Sequence, residues 1–156
     1  MTIEIIDDVL IDIDDYVFEI LSNGFIDVTI GEQTFKGIQP RYNDSFQRFI
    51  ESKFTEYDVA FNFVRQSPIN QVEPNFIHSD EMMGDLTVLF YLNKCTPKDD
   101  GTILYDNDES VICTVKSKQN RCFIFPSNVL HSRSLFNNFG INKAARLVQV
   151  IFLKQK

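Results

Sequence analysis

The amino-acid sequence predicts a mainly β domain, built as a sandwich or barrel, with supporting helices on its N-terminal side. From about residue 57 onward, short β-rich segments follow one another and are separated by turn signals. Two of these segments, residues 86–93 and 146–153, are almost continuously apolar, which is typical of strands buried on both faces. The 15 phenylalanines indicate an aromatic-rich interior and favour sheet.

The length of 156 residues corresponds to one domain. We therefore expect residues 1–156 to form a single domain, with residues 1–56 as a mixed helix and strand support and residues 57–156 as the β core. The formal net charge of −7 argues against a surface built to bind nucleic acid, because phosphate binding needs a cationic face. No segment approaches the roughly 20 apolar residues that a membrane helix needs.

The cysteines and the N-terminal residues indicate a cellular compartment. Cys95, Cys113 and Cys122 are odd in number and show no CxxC spacing. The first residues lack the basic and apolar regions of a secretory signal. Together these features predict an intracellular, cytoplasmic protein with reduced thiols.

Residues 1–56 contain the signals of helix ends. Asp14 or Asp15 is expected to cap a first helix, which Asn23-Gly24 ends, and Asn43-Asp44-Ser45 offers caps for a second. The predicted elements of this region are a short strand over residues 3–6, a helix over 14–22, a strand over 25–30 and a helix over 46–54.

The second region is predicted to be strand after strand, with Val59, Phe61 and Phe63 on one face of the first. The acidic stretches Asp99-Asp100 and Asp106 to Glu109 are interpreted as solvated turns, because they lack the register of a calcium loop. The predicted strands cover residues 58–65, 75–80, 86–93, 101–105, 111–115, 121–125 and 146–153.

The two histidines of the chain, His78 and His131, occur where a metal site would need them. His78 and Asp80 are two residues apart, so on a strand both side chains point to the same face. If His131 comes from a neighbouring strand, the three side chains form a facial triad, which binds Fe(II) and leaves other coordination positions open. A short His-x-Asp motif also occurs by chance, so the surrounding sequence has to support this hypothesis.

The surrounding sequence supports it because, from about Phe76 to the C-terminus, the chain resembles the Fe(II)/2-oxoglutarate-dependent dioxygenases, and most of all their prolyl hydroxylase branch. This resemblance implies a double-stranded β-helix, a jelly-roll or cupin-like fold. The matching elements follow the order of the family and cover about half of the chain: His78-Ser79-Asp80, Leu86 to Asn93 ending in Tyr-Leu-Asn, Gly101-Thr102-Ile103-Leu104, Asn120 to Phe125, His131, and Arg146 within Ala145-Arg146-Leu147-Val148.

The resemblance also implies roles for individual residues and names the small molecules of the reaction. Fe(II) would be held by the triad, and 2-oxoglutarate and O2 would be the co-substrates. Arg146 would pair with the distal carboxylate of 2-oxoglutarate. Tyr91 would add a hydroxyl hydrogen bond, and Leu89 and Leu104 would line the pocket. Arg133, two residues after His131, is an alternative to Arg146 as the carboxylate anchor or a contact to the substrate.

Three departures from the family pattern bear on these expectations. The interval between His131 and Arg146 is longer than usual, and the extra residues are expected to form a loop over 137–143. Thr102 stands in place of a second glycine. Asn75 stands where the prolyl hydroxylases often carry a tyrosine, which weakens the case for proline as the substrate.

The sequence therefore leaves three functions to compare. The first is a 2-oxoglutarate-dependent hydroxylase that acts on a protein or peptide side chain and releases succinate and CO2. The second is a hydroxylase of the same class that acts on a small molecule. The third is a binding or structural protein that keeps the jelly roll without turnover.

Overall fold

The computed structural model describes residues 2–156, which fold into ten strands, two α-helices and one short 3-10 helix. The helices are α1 (Ile13–Ser22) and α2 (Ser45–Lys53), and the 3-10 helix covers Asn142–Ala144. The strands are β1 (Glu4–Ile6), β2 (Ile26–Ile30), β3 (Gln33–Pro40), β4 (Tyr57–Ser67), β5 (Leu86–Tyr91), β6 (Gly101–Tyr105), β7 (Val111–Lys116), β8 (Arg121–Pro126), β9 (Leu130–Arg133) and β10 (Arg146–Gln155).

The strands form two antiparallel sheets. The larger sheet has seven strands in the order β1-β8-β5-β10-β4-β3-β2, and the smaller has three in the order β7-β6-β9. Buried side chains from both sheets form one apolar cluster, so the sheets face each other across a shared inner layer. The fold is a double-stranded β-helix with helices on the outer face of the larger sheet, as the sequence predicts. The shared cluster consists of Tyr91, Leu104, Val115, Phe123, Phe125, Val129 and Val148.

Strand β10 lies near the centre of the larger sheet and shows why its sequence is almost continuously apolar. It pairs with β4 on one side and β5 on the other. Leu147, Ile151 and Leu153 point toward the helices, whereas Val148 and Val150 join the layer between the sheets. Both faces of the strand are therefore covered, as the apolar run predicts.

The helices cover the outer face of the larger sheet through a few large side chains. Ile20 of α1 and Phe46 and Ile50 of α2 are fully buried. Phe46 stacks on Phe90 of β5, with ring centroids 4.0 Å apart and planes only 4° from parallel. Burying a side chain of this size stabilises the fold by about 1.5–3 kcal/mol, so this contact fixes the helices to the sheet. Neither α-helix within residues 2–156 is long and apolar enough to cross a membrane.

Both predicted helices are present, but only one is capped as expected. The side chain of Asp44 accepts a hydrogen bond from the backbone N–H of Gln47 at 2.8 Å and caps α2. Helix α1 begins one residue earlier than predicted, and its N-cap position is Asp12 rather than Asp14 or Asp15. No side chain within residues 2–156 caps α1, because Asp12 has a backbone conformation outside the extended region that a capping aspartate uses.

Strand β3 is absent from the elements that the sequence predicts. Its sequence, QTFKGIQP, contains both a glycine and a proline, which are depleted in strands. Gly37 has a φ of +69°, and a Cβ atom there would lie 2.2 Å from the carbonyl oxygen of Gln66. The close approach of β3 to its neighbour therefore requires glycine at this position.

The prediction that Val59, Phe61 and Phe63 share one face of β4 is wrong. The register between β4 and β10 shifts by one residue, so Phe61 pairs with Phe152 while Val59 pairs with Leu153. Val59 therefore packs with the helix-side core, and Phe61 and Phe63 lie on the opposite face of the sheet. The β-bulge inserts one residue and reverses the alternation, which periodicity alone does not reveal.

The prediction of a strand over residues 75–80 is also wrong. This segment is irregular and touches the sheet through one isolated antiparallel bridge, between His78 and His131. The long connection between β4 and β5 therefore contributes one bridge residue at the edge of the smaller sheet, and that residue is a predicted metal ligand.

Candidate metal centre

The three predicted metal ligands come together at the edge of the smaller sheet. His131 lies on β9, and His78 lies opposite it on the irregular segment. The two residues exchange both backbone hydrogen bonds, at 3.0 Å from the His78 N–H and 2.8 Å from the His131 N–H. One potential ligand atom from each of His78, Asp80 and His131 lies within 4.8 Å of the other two, a spacing that suits a single metal ion.

Asp80 lies between the two imidazole rings. Its backbone N–H donates to the carbonyl of Ser127 at 2.8 Å, which fixes the residue just beyond the bridge. One carboxylate oxygen is 2.9 Å from Nε2 of His131, and the other is 3.5 Å from Nε2 of His78. The side chains therefore converge although the strand used to predict this geometry is absent.

The hydrogen bonds of the histidine rings orient them for metal binding. Nδ1 of His78 is 2.8 Å from the carbonyl oxygen of Phe76, and Nδ1 of His131 is 3.0 Å from that of Val129. A carbonyl oxygen only accepts, so the proton of each neutral ring is assigned to Nδ1. Each Nε2 is directed toward Asp80 and, once it carries no proton, offers its lone pair to a metal, the arrangement that a metal-bound histidine requires.

The carboxylate of Asp80 and the imidazole ring of His78 each stabilise the charged form of the other. Burial raises the pKa of Asp80, but hydrogen bonds from His131 and His78 outweigh it and hold that pKa well below its usual range. The hydrogen bond to Asp80 raises the pKa of His78, and burial offsets part of this effect. Without a metal, the carboxylate is therefore ionised and favours a proton on His78. A metal ion bound at Nε2 would replace that proton, because the ligand is the neutral ring.

The donor set suits Fe(II) in a site with open positions. Two imidazole nitrogens and one carboxylate oxygen form the facial triad found in oxygen-using non-haem iron proteins. The edge of the Phe125 ring contacts His131 at a centroid distance of 5.0 Å and shields one side. The His78 side chain remains 38% exposed, so the cluster is open to the solvent on its other side. A ligand could therefore reach the metal from that side.

The residues predicted to line a co-substrate pocket lie in the layer between the sheets. Leu104 is fully buried and is the direct pairing partner of His131. Leu89 packs on the same cluster. The hydroxyl of Tyr91 is 2.6 Å from Oγ1 of Thr102, and burial raises the pKa of Tyr91 to about 12. Tyr91 is therefore a neutral hydrogen-bonding group at physiological pH.

Arg146 is the first residue of β10 and is buried, with its Nε 3.4 Å from a carboxylate oxygen of Asp100. The prediction that Asp99-Asp100 forms a solvated turn is wrong for Asp100, whose side chain is only 1% exposed. Asp100 is buried because it forms an ion pair with Arg146 across the layer. The Asp106 to Glu109 turn is exposed, as predicted.

Arg133 lies close to Arg146 and, among the described residues, has hydrogen-bond partners for both Nη atoms but not for its Nε. Its Nη1 donates to Oδ1 of Asn138 at 2.6 Å and is 3.7 Å from a carboxylate oxygen of Glu73. Its Nε is buried without a hydrogen-bond partner in the part of the chain that the structure describes. Burial, followed by the positive charge of Arg146, lowers the pKa of Arg133 to about 10.

Sequence reasoning missed three charged residues of this region: Arg65, Glu73 and Asp100. Glu73 lies 3.6 Å from Nε of Arg65 and shares its carboxylate with Arg133. Asp100 follows Pro97 and Asp99 in a polar stretch that is typical of a turn. A usable signal was Arg146 itself, since an arginine at the start of a buried strand requires a buried anion nearby.

Comparison with known proteins defines the fold. The sequence matches no family model and no curated protein. A prolyl hydroxylase from Trichoplax adhaerens, in complex with a hypoxia inducible factor oxygen degradation domain peptide fragment, superposes with a TM-score of 0.70 at 16% identity. The alignment covers 98% of this chain and 83% of that one.

Two further solved structures have the same architecture. The non-heme alpha ketoglutarate dependent epimerase SnoN from nogalamycin biosynthesis gives a TM-score of 0.68 at 12% identity, covering 98% of this chain and 77% of that one. The viral collagen prolyl hydroxylase of Paramecium Bursaria Chlorella virus-1 gives 0.59 at 14% identity, covering 100% and 91%. The fold is therefore that of the 2-oxoglutarate oxygenases, and it resembles the prolyl hydroxylases.

Proposed function

We propose that this protein is an Fe(II)- and 2-oxoglutarate-dependent dioxygenase that hydroxylates a protein or peptide side chain and releases succinate and CO2. The observation that carries the proposal is the His78, Asp80 and His131 cluster, whose ligand atoms converge within an oxygenase-like fold. The fold alone admits many activities, so the argument rests on the residues of the site.

The triad would hold the metal through Nε2 of His78, Nε2 of His131 and one oxygen of Asp80. The backbone carbonyls that accept from each Nδ1 keep both rings in the ligating orientation. Fe(II) bound there, together with 2-oxoglutarate and O2, supplies the oxidation of a C–H bond that no amino-acid side chain provides. The protein contributes positioning of the reactants and exclusion of competing reactions.

In this proposal the co-substrate binds between the sheets, in the layer where Leu104 pairs with His131. A guanidinium group, from Arg146 in our proposal, binds the distal carboxylate of 2-oxoglutarate, and Arg133 is the alternative. The Tyr91 hydroxyl donates a further hydrogen bond to this carboxylate, while Leu89 and Leu104 form the apolar wall. Support comes from their burial and from their place in the layer that also contains His131.

A protein or peptide substrate fits the surface around the triad. The Phe76 ring packs against His78 in a tilted arrangement, with ring centroids 5.2 Å apart, yet Phe76 remains largely exposed. Phe136 and Val72 are also exposed, and Asn75 donates to the carbonyl of Leu135 beside Phe136. A neighbour of the same fold was solved with a peptide. An open apolar rim of this kind suits an extended chain segment.

A small-molecule substrate is the second candidate, favoured by the likeness to an epimerase of nogalamycin biosynthesis. Nucleic acid is disfavoured by the net charge of −7. The three free cysteines agree with a cytoplasmic location, which we propose on the sequence evidence.

A succinate-release assay with Fe(II), 2-oxoglutarate and O2 tests the proposed function. The full chain is incubated with peptide pools and, separately, with metabolite pools, and succinate is measured beside a His131→Ala control. Succinate that rises with a peptide pool supports the proposal, and a response to metabolites alone favours the second candidate. Metal and 2-oxoglutarate binding without turnover in any pool would identify a catalytically silent protein.

A further inference from the structure

We infer that Asp100 is a specificity-determining residue, which partly neutralises Arg146 and thereby limits how strongly the pocket binds the distal carboxylate of a 2-oxo acid. The inference rests on the proposed function, since it concerns the same co-substrate pocket. It adds a residue whose role follows from its burial and its charge in this chain.

The contact between the two side chains is buried and leaves most of the guanidinium free. Arg146 is 9% exposed and Asp100 is 1% exposed, and Nε of Arg146 is 3.4 Å from Oδ1 of Asp100. Within residues 2–156 this is the only hydrogen bond that the Arg146 side chain makes. Its two Nη groups are therefore available to a ligand carboxylate, which a guanidinium binds best through two parallel hydrogen bonds.

Asp100 is held firmly at the entrance of β6. Its backbone N–H donates to the carbonyl of Pro97, and its carbonyl accepts from the N–H of Ser117. The next residue is Gly101, where a Cβ atom would lie 2.1 Å from the carbonyl oxygen of Val115. The backbone therefore has little freedom to move the carboxylate away from Arg146 when a ligand binds.

The charged side chains around Arg146 indicate how Asp100 affects the binding of an anion. Arg65, Arg133 and Arg146 contribute three positive charges, and Glu73 and Asp100 contribute two negative charges. One positive charge remains, which matches one ligand carboxylate. Asp100 is the anion in contact with Arg146, whereas Glu73 contacts Arg65 and Arg133. Removing the charge of Asp100 therefore removes the repulsion nearest to a carboxylate bound at Arg146 and strengthens anion binding there.

Glu73 provides a matched comparison for Asp100. It is also a buried carboxylate beside an arginine, 3.7 Å from Nη1 of Arg133. Glu73 differs because Ser67, Gln71 and Asn138 also donate hydrogen bonds to it. The variants Asp100→Asn and Glu73→Gln therefore remove the same charge beside two different arginines.

The experiment measures two ligands with the Mn(II)-loaded full chain by isothermal titration calorimetry. One ligand is 2-oxoglutarate, and the other is 2-oxovalerate, which has the same chain length without the distal carboxylate. We expect Asp100→Asn to tighten 2-oxoglutarate binding about tenfold while 2-oxovalerate binding stays within about twofold. Glu73→Gln should leave the ratio of the two affinities unchanged.

Several results would overturn the inference. An unchanged affinity ratio in Asp100→Asn, or an equal loss for both ligands, would assign Asp100 a structural role only. If the affinity ratio changed in Glu73→Gln instead, the distal carboxylate of 2-oxoglutarate would be assigned to Arg133 rather than to Arg146. Wild-type protein that binds Mn(II) but neither 2-oxo acid would refute the proposed function, an outcome distinct from an unchanged ratio.

Folding of the variant is part of the test, because the Asp100→Asn substitution leaves Arg146 as a buried charge without its anionic partner. Asp100→Asn is therefore purified with and without 2-oxoglutarate, and its thermal unfolding is recorded. A variant that 2-oxoglutarate stabilises more than wild type supports the inference. A variant that stays unfolded with 2-oxoglutarate, or that 2-oxovalerate stabilises equally, contradicts it.

Discussion

The two faces of the seven-stranded sheet differ in how completely their buried polar groups are hydrogen-bonded. On the helix-covered face, the Gln149 side chain accepts from the Tyr16 hydroxyl at 2.7 Å and donates to Asn62 at 2.8 Å and to Asp44 at 3.0 Å. On the face toward the smaller sheet, Arg146 has one hydrogen bond of 3.4 Å within the described residues. The first face satisfies its polar groups internally, whereas the second leaves donors for a ligand.

This difference distinguishes a face that stabilises the fold from a face that has donors available to a ligand. Buried polar groups are normally paired, so a face whose groups are fully paired serves packing. A face with an incompletely paired guanidinium, turned toward the sheet that carries His131, has the features of a binding site. Strand β10 carries both faces, because alternate residues point to opposite sides of the sheet.

The largest expected effect is a loss of turnover, caused by a change in the candidate metal centre. His131→Ala removes one of the three proposed metal ligands, so we expect turnover of 2-oxoglutarate to succinate to fall to background. The helix-covered face is untouched, and far-UV circular dichroism should show that the fold is retained. Metal content is measured beside succinate release. A folded variant with unchanged turnover would exclude His131 from the metal site.

The converse change on the helix-covered face should affect stability. Phe90→Ala removes a fully buried ring stacked on Phe46, and we expect a loss of about 3–5 kcal/mol in the free energy of unfolding. Phe18, on α1 and largely exposed, provides the control, since Phe18→Ala should change stability by less than about 0.5 kcal/mol. Urea denaturation measures both. Equal losses would contradict the assignment of the core.

Arg146→Met should weaken the binding of 2-oxoglutarate far more than the binding of metal. A hydrogen bond to a charged group contributes about 1.5–3 kcal/mol, so we expect roughly a 10- to 100-fold weaker affinity for 2-oxoglutarate. Titration calorimetry with Mn(II) present, and with Mn(II) as the titrant, separates the two events. The matched variant is Arg133→Met, and a larger loss there would assign the carboxylate to Arg133.

The smallest expected effect concerns an exposed ion pair, which contrasts with the buried pair of the pocket. Asp7 is 2.7 Å from Nε of Arg121, and its hydrogen bond to that guanidinium lowers the pKa of Asp7 below its usual 3.8. The folded-state pKa lies below the unfolded value, so this stability is present above about pH 4 and is lost as the pH falls through the lowered pKa.

We therefore expect Asp7→Asn to cost less than about 1 kcal/mol at neutral pH, because exposed ion pairs contribute little. Urea unfolding of wild type and variant at neutral pH and at about pH 3 measures the difference. The difference should shrink at the lower pH. A difference that grows on acidification would show that another group causes the effect.

The sequence predicts those parts of the fold that depend on local or repeating patterns. The apolar runs of β5 and β10 identify central strands, and Asp44 marks the start of α2. Both features are predictable because burial on two faces and helix capping depend on residues that are close together in the sequence. Strand β3 escapes prediction, since its Gly37 and Pro40 are unfavourable in an isolated strand and are accommodated only beside β4. The bulge in β4 likewise depends on its partner.

The candidate site shows the same division between features set by local sequence and features set by contacts between distant residues. His78, Asp80 and His131 are recognisable from residue type and spacing, although the segment carrying the first two is irregular rather than extended. The buried state of Asp100 is a property of its contact with Arg146, which lies 46 residues away. Local composition describes a turn there, and only the folded chain shows that the turn brings a buried carboxylate into contact with Arg146.

The connection between β4 and β5 has a further consequence for local unfolding. Near the triad it is held by the paired backbone bonds of His78 and His131 and by the bond from Asp80 to Ser127. A metal ion bound to residues 78, 80 and 131 would cross-link this connection to the smaller sheet and stabilise the closed form by mass action. The Phe76 carbonyl lies 2.8 Å from Nδ1 of His78, so a metal held by that ring would also restrain the exposed residues around Phe76 against local opening.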